Sequence, residues 1–320
     1  MKALVTGCAG FVGSHLTEKI LAEGGEVIGV DCFLDYYPRR LKEASMENFI
    51  ADDSFTFHEK NILELELTEI LSEVDYVFHQ AAQAGVRASW GESFEIYDDN
   101  NILATQKLLE AAREVGVKKF VYASSSSVYG DTDNLPMKED NKLQPVSPYG
   151  VSKLAAENLC YLYWKNFGVP TNSLRYFTVF GERQRPDMAF HIFTKLILED
   201  RPITIFGDGK QSRNFTHVDD VVAANLQAAE ADVAGEIFNI GGDGERVELN
   251  EAIDLLEELC GKKARREYDD VVEGDVRHTA ADCSKARKLL GYDPQVGFEE
   301  GLKRQVEWTE EIIERFDYEV

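Results

Sequence analysis

The chain has 320 residues, 44% of them hydrophobic, and its 34 basic and 58 acidic side chains give a formal net charge of −24. Such a surface repels nucleic acid and anionic membrane, so an anionic ligand must be met by arginines gathered locally against the global field. No apolar stretch nears the ~20 residues of a membrane helix, and "MKALVTGCAG" runs too soon into a glycine turn for a signal peptide. The five cysteines (Cys8, Cys32, Cys160, Cys260, Cys283) lack zinc or redox spacing, and His79, His191, His217 and His278 lack metal-ligand spacing. The expectation is a cytoplasmic protein with reduced thiols, no metal, and no nucleic-acid or membrane partner.

Short β-branched runs alternate with amphipathic stretches through the first half. Strands are predicted over Lys2–Thr6, Glu26–Asp31, Phe55–Lys60, Asp75–Ala82, Lys118–Ser124 and Thr171–Phe177. Helices are predicted from the glycine turn to about Glu23, over Phe94–Val115, and over Tyr149–Phe167. This alternation predicts an α/β fold, a parallel sheet with helices on both faces. Beyond about Phe180 the pattern loosens into loops, yet "GEIFNIGG" (Gly235–Gly242) reads as a strand that returns to the first sheet. The division expected is 1–177 with a return segment near 214–245, and a smaller interleaved α/β domain over 178–320.

"TGCAGFVGSH" sets Gly7, Gly10 and Gly13 three apart between a strand and a helix. Glycines there let the backbone approach a pyrophosphate at the helix N-terminus. Asp31 ends the next strand, where a carboxylate binds ribose hydroxyls and repels a 2′-phosphate, favouring NAD over NADP. "SPYGVSK" places Tyr149 and Lys153 four apart on one helical face, where a neighbouring ammonium favours the phenolate. "YASSSSVYG" follows a core strand directly, so its serines read as a ligand-facing wall and not as a flexible linker.

The ordered set GxxGxxG, "HQAA", "SSSSVYG", "YGVSK", "RYFTVFGERQRPDMA", "RNFTHVDD" and "FNIGG" resembles the extended short-chain dehydrogenase/reductase superfamily, specifically its nucleotide-sugar epimerases. The resemblance spans essentially the whole chain. It implies a Rossmann doubly wound sheet holding NAD through Gly7, Gly10, Phe11, Val12, Gly13, Asp31, Asn61, Ile62, Ala81, Ala82 and Asn100, together with Tyr149 and Lys153. It also implies a UDP-sugar in the C-terminal domain and a homodimer packed through Phe94–Val115 and Tyr149–Phe167. Ser125 matches the residue that relays a proton between the sugar and Tyr149. Dehydratases carry Asp-Glu at the next two positions, and decarboxylases carry a glutamate at the second. Ser126 and Ser127 stand there here and cannot act as carboxyl acids or bases.

The implied chemistry is redox-neutral 4-epimerisation. Tyr149 takes the 4-OH proton while C4 gives hydride to NAD⁺, the keto sugar turns over, and hydride returns to its other face. Thr178, where neutral-sugar enzymes often have asparagine, and Arg185 resemble the UDP-glucuronate 4-epimerases, with Arg185 near the sugar carboxylate. Arg87, Arg213 and Arg277 match positions near the diphosphate or sugar, and Asp275 a position on the uridine ribose. The pattern departs from the family at Gln80, Asn61, Asn214, His217 and Glu273-Gly274-Asp275. The alternatives are a UDP-glucose or UDP-N-acetylglucosamine 4-epimerase, a UDP-glucuronate decarboxylase, and a non-catalytic NAD-binding regulator.

Overall fold

The computed structural model describes residues 1–91, 94–244 and 246–320. Its centre is a seven-stranded sheet in which every strand pairs in parallel with its neighbours. The strands are β1 (Lys2–Thr6), β2 (Glu26–Asp31), β3 (Phe55–Glu59), β4 (Tyr76–His79), β5 (Lys119–Ser125), β6 (Thr171–Tyr176) and a last strand, Glu236–Ile240. Their spatial order is β3-β2-β1-β4-β5-β6 and then Glu236–Ile240, the doubly wound arrangement. Helices cover both faces, so most strand side chains are buried. Successive side chains alternate between two cores. Ala3, Val5, Phe78 and Val121 point into one; Leu4, Val77, Phe120 and Tyr122 point into the other. The Rossmann reading of the sequence stands.

Three expectations need correction. The helix predicted over Phe94–Val115 is interrupted: Phe94–Tyr97 is α-helical, Asp98–Leu103 is a π-helical stretch, and Ala104–Val115 resumes α. The buried Asn101 sits in that stretch, and its side chain bonds the Gln83 backbone and Ser152 Oγ. β4 ends at His79, three residues short of Ala82, because the Ala81 amide turns to the Thr6 hydroxyl instead of a ladder partner. The region beyond Phe180 is more regular than its sequence reads. Helices Ala189–Leu198, Leu249–Cys260 and Phe298–Arg315 enclose an aromatic and aliphatic core around Phe180, Phe190, Phe193, Ile203 and Ile205. Strands of only two residues, such as Val179–Phe180 and Ser212–Arg213, are too short to show periodicity.

Helix Val218–Glu230 belongs to the first core, packing Val221, Val222, Ala224 and Ala228 with Leu16 and Ile20 of the first helix. Glu245, the end of the return segment predicted near 214–245, lies outside the described residues. The carboxyl ends of β1, β2, β4, β5 and β6 converge on one edge, where a doubly wound sheet presents its ligand crevice.

Candidate active site

At that edge, Gly7 adopts φ +71° and donates its amide to Val30 O at 2.7 Å. Gly13, in the first turn of helix Phe11–Ala22, lies so close that a Cβ would stand 2.0 Å from Gly7 O. The turn therefore tolerates no side chain there. The helix starts at Gly10 with no side-chain cap, and its first turn, which includes Phe11 and Val12, holds no acid. Its leading amides are thus free of internal anions, as a pyrophosphate site requires. Asp31 closes β2 with its carboxylate toward this turn, accepting from Ala9 N (3.2 Å) and Phe33 N (2.9 Å). Burial raises its pKa, and the Lys42 charge opposes that rise. Asn61 accepts from Leu63 N at 2.9 Å and so caps the short turn that begins at Ile62. These features fit a dinucleotide: amides at the turn, a carboxylate at the next strand end, and an amide side chain beyond it.

Behind the turn runs a hydrogen-bond chain with one direction. The Ala81 amide donates to Thr6 Oγ1 (3.2 Å), which lies 2.7 Å from His79 Nδ1. His79 Nε2 lies 2.9 Å from Thr105 Oγ1, whose proton goes to Asn101 O at 2.6 Å. Since Thr105 spends its proton on a carbonyl, its oxygen must accept from Nε2–H, and Nδ1 must accept from Thr6. One neutral tautomer satisfies every partner. Burial, with the Lys153 charge, lowers the imidazole pKa to about 3.

Tyr149 and Lys153 open helix Pro148–Phe167, whose N-cap Ser147 accepts from Gly150 N. The Ser125 hydroxyl, at the end of β5, hydrogen-bonds the Tyr149 phenol, and the Arg185 charge reaches it. Ser125 also accepts from Ser127 N at 3.2 Å, shaping Ser126–Val128 into a tight turn that continues the serine wall. The sequence-based expectation that Lys153 draws Tyr149 toward neutrality is not met. Burial dominates and raises the phenol's pKa, opposed by the Ser125 bond and Arg185. Burial acts on Lys153 as well, bringing it down to about 7 with its ammonium 4.7 Å from the Tyr122 ring centroid.

The four arginines expected at the site from the sequence are each held by neighbours. Arg185 holds Asp187 through Nε and Nη2 at 2.9 and 3.0 Å. Arg87 pairs with Asp275 at 2.6 Å and lies over the Phe206 ring; Arg277 pairs with Asp208 at 2.8 Å. Among the described residues Arg213 has no carboxylate partner; it donates to the carbonyls of Ser212, Val276 and Arg277. Thr178 is half-buried where β6 gives way to Val179–Phe180. Ala81 and Ala82, also half-buried, follow the end of β4.

The departures from the family pattern acquire physical reasons. Gln80 bonds Asn225 and Tyr176 (2.9 and 3.0 Å), tying the β4 end to helix Val218–Glu230. His217 caps that helix by accepting from Asp219 N and bonds Glu182 at 3.2 Å. Burial would raise the Glu182 carboxyl, but His217 and Arg304 hold it at about 2. Asn214 donates to Gly242 O and Gly244 O.

The sequence reading missed several neighbours. Asn100 donates to Ile96 O one turn back, while the buried Asn101 bridges toward the site. Glu157, one turn beyond Lys153, forms a two-pronged buried pair with Arg175 (2.7 and 2.9 Å) and accepts from Ser124 at 2.7 Å. Arg175 was visible as a charge inside a strand expected to be central and buried, a signal that it must be paired. Tyr97 packs edge-on against Tyr149, ring centroids 6.3 Å apart.

A family model described as "NAD dependent epimerase/dehydratase family" matches residues 3–241. The chain belongs to the NAD dependent epimerase/dehydratase family. Among other members it is 44% identical over 316 residues to an uncharacterized UDP-glucose epimerase, YtcB, of Bacillus subtilis, covering 98% of this chain and 99% of that one. It is 43% identical over 315 residues to a UDP-glucuronate 4-epimerase of Thermodesulfobacterium geofontis, covering 97% of each. The solved UDP-glucuronic acid 4-epimerase from Bacillus cereus, in complex with UDP-glucuronic acid and NAD, is similar at TM-score 0.95 and 44% identity, over 98% of this chain and all of that one. As a family member, the chain has its glycine turn, Asp31, Tyr149 and Lys153 at one sheet edge.

Proposed function

We propose that this chain is an NAD-dependent UDP-sugar 4-epimerase that interconverts UDP-glucuronate and UDP-galacturonate. The observation that carries the reading is the pairing of Ser125 and Tyr149 beside Arg185, within a wall of serines that offers no carboxylic acid. Tyr149 accepts the proton of the sugar 4-OH, with Ser125 relaying it. Lys153 holds the nicotinamide ribose, while the Ser125 hydroxyl and the Arg185 charge favour the phenolate. When bound, the cofactor supplies a reversible hydride acceptor for C4 of the sugar. Gly7, Gly10, Phe11, Val12, Gly13, Asp31, Asn61, Ile62, Ala81, Ala82 and Asn100 line its site. Ser126, Ser127, Thr178 and Arg185 surround the sugar; Arg87, Arg213, Arg277 and Asp275 serve the UDP.

Oxidation at C4 makes the uronic acid a β-keto acid, which loses CO₂ when the C5–carboxylate bond aligns with the ketone π system. The serine hydroxyls and Arg185 hold that bond out of alignment and give it no proton. Ser127, in place of glutamate, opposes the decarboxylase reading. A UDP-glucose epimerase is the second reading, favoured by the name of the Bacillus subtilis relative and by the existing Arg185–Asp187 pair.

Residues 1–177 with the return segment form the cofactor domain, and 178–320 the UDP-sugar domain. Helices Ala104–Val115 and Pro148–Phe167, with the turns before the former, form the homodimer face. Leu103, Val151, Tyr161, Leu162 and Phe167 are exposed there, an apolar surface that a second copy covers. The five thiols are free, and no described helix is long and apolar enough to cross a membrane; the proposed compartment is the cytoplasm.

The test is product analysis: purified protein with UDP-glucuronate and NAD⁺, separation of UDP-sugars, and a CO₂ assay. UDP-galacturonate without CO₂ is the expected result. Release of CO₂ with a pentose product, or turnover of UDP-glucose alone, would overturn it.

A further inference from the structure

Arg185 is anchored from one side only. Asp187 occupies its Nε–Nη2 edge, and Asp187 Oδ2 also accepts from the Tyr36 hydroxyl at 3.0 Å. Tyr36 lies in the loop that follows β2 and Asp31, on the cofactor side. Its hydroxyl fits only because residue 85 is glycine: a Cβ there would stand 2.3 Å from Tyr36 Oη. The Tyr36 ring centroid is 5.8 Å from Arg185 Cζ. Three segments distant in sequence thus fix one guanidinium plane, while its Nη1 nitrogen has no partner among the described residues. An unanchored arginine samples many rotamers, and side-on pairing to a carboxylate removes most of that freedom.

We propose that Asp187, braced by Tyr36, is the positioning residue that presents the Nη1 edge of Arg185 to the sugar carboxylate and so suppresses loss of CO₂. This rests on the UDP-glucuronate reading and deepens it. With C4 oxidised, breakage of the C5–carboxylate bond releases CO₂ and leaves its electron pair on C5 as the enolate of the C4 ketone. That enolate takes a proton at C5 from water to give a 4-keto pentose. The step needs no oxidant or reductant beyond the C4 oxidation already in place. It needs the carboxylate carbon to swing perpendicular to the carbonyl plane, which a fixed guanidinium resists and a wandering one permits. Asp187 is therefore a support and not a rival for Arg185, although its charge has the sign of the substrate's.

The experiment uses the NAD-saturated enzyme and carboxyl-labelled UDP-glucuronate. It reads KM, kcat and the ratio of CO₂ to UDP-galacturonate, with UDP-glucose turnover as comparator. Asp187→Asn keeps the shape and removes the charge. The expected result is about a tenfold rise in both the CO₂ ratio and KM for UDP-glucuronate, the scale of one charge-assisted contact. Tyr36→Phe moves both in the same direction by about threefold and decides the matter should the first variant fold poorly. A fall in KM in Asp187→Asn would show that Asp187 competes with the substrate and would overturn the proposal. An unchanged CO₂ ratio in both variants would also overturn it. If the parent enzyme does not convert UDP-glucuronate, the functional reading falls and takes this one with it. If it does, and the variants match it, only the role of Asp187 is lost.

Discussion

The two halves of the crevice hold their functional groups by different physics. On the cofactor side, backbone amides, glycine contacts and a neutral hydrogen-bond chain through His79 shape the surface, with Asp31 as its carboxylate. On the side proposed for the sugar the surface is charge. Arg87, Arg185 and Arg277 each hold an internal acid, and Glu157 pairs with Arg175 behind the serine wall. A pyrophosphate at a helix N-terminus is met by dipoles, which need no counter-ion. A guanidinium in a chain of net charge −24 is surrounded by acids, and Arg87, Arg185 and Arg277 are each held by pairing with one, Arg213 by backbone carbonyls.

The comparison breaks most visibly at Glu157. Both members of the Glu157–Arg175 pair are at most 2% exposed, and losing one leaves a buried charge unmatched. Glu157→Gln is expected to cost about 3–5 kcal/mol of stability, read by urea denaturation. Glu157→Gln with Arg175→Met should recover much of it. If the single variant is as stable as the parent, the charged half is no more dependent on pairing than the neutral one.

Lys153 sharpens the contrast, being a buried cation without a salt bridge among the described residues. Its folded pKa is about 7 against an ordinary 10.5, so between those values the unfolded chain binds more protons than the native one. Native stability attributable to this group therefore rises as pH increases from about 7 to about 10.5, and the cost of burying the ammonium is full below 7. Lys153→Met removes that cost. The variant should be inactive yet more stable at pH 6 by roughly 3–5 kcal/mol, at ~1.4 kcal/mol per pKa unit, with the advantage vanishing near pH 10.5. Denaturation at several pH values measures it; a pH-independent difference would sink the explanation.

The smallest effect is expected in the neutral half. Thr105→Val leaves the His79 Nε2–H without its acceptor, at a cost of about 1–3 kcal/mol. It should also loosen the Ala81 end of β4, read as faster NAD loss on gel filtration. A cost equal to that of Glu157→Gln would erase the distinction between the halves.

The parallel sheet was legible because short β-branched and aromatic runs alternate with amphipathic stretches; β1 and β2 agree with their predicted bounds. The glycine turn and the Tyr149–Lys153 spacing were legible for a similar reason, since strand–turn–helix geometry is set within a dozen residues. The helices beyond Phe180 were obscured by two-residue strands and long connections. The π-helical stretch could not be read at all, because Asn101 acquires its reason only from Gln83 and Ser152.

The sequence by itself determined which chemical groups reach the carboxyl edge of the sheet, since local periodicity places strand ends and first helical turns. Only the tertiary structure decided how those groups are partnered and charged. Arg87 meets Asp275 across 188 positions, and Tyr36 braces Asp187 across 151. Burial moves Lys153 to about 7 and, together with the Lys153 charge, His79 to about 3. No spacing rule encodes such pairings. Protonation follows desolvation, which does not exist until the layers have closed.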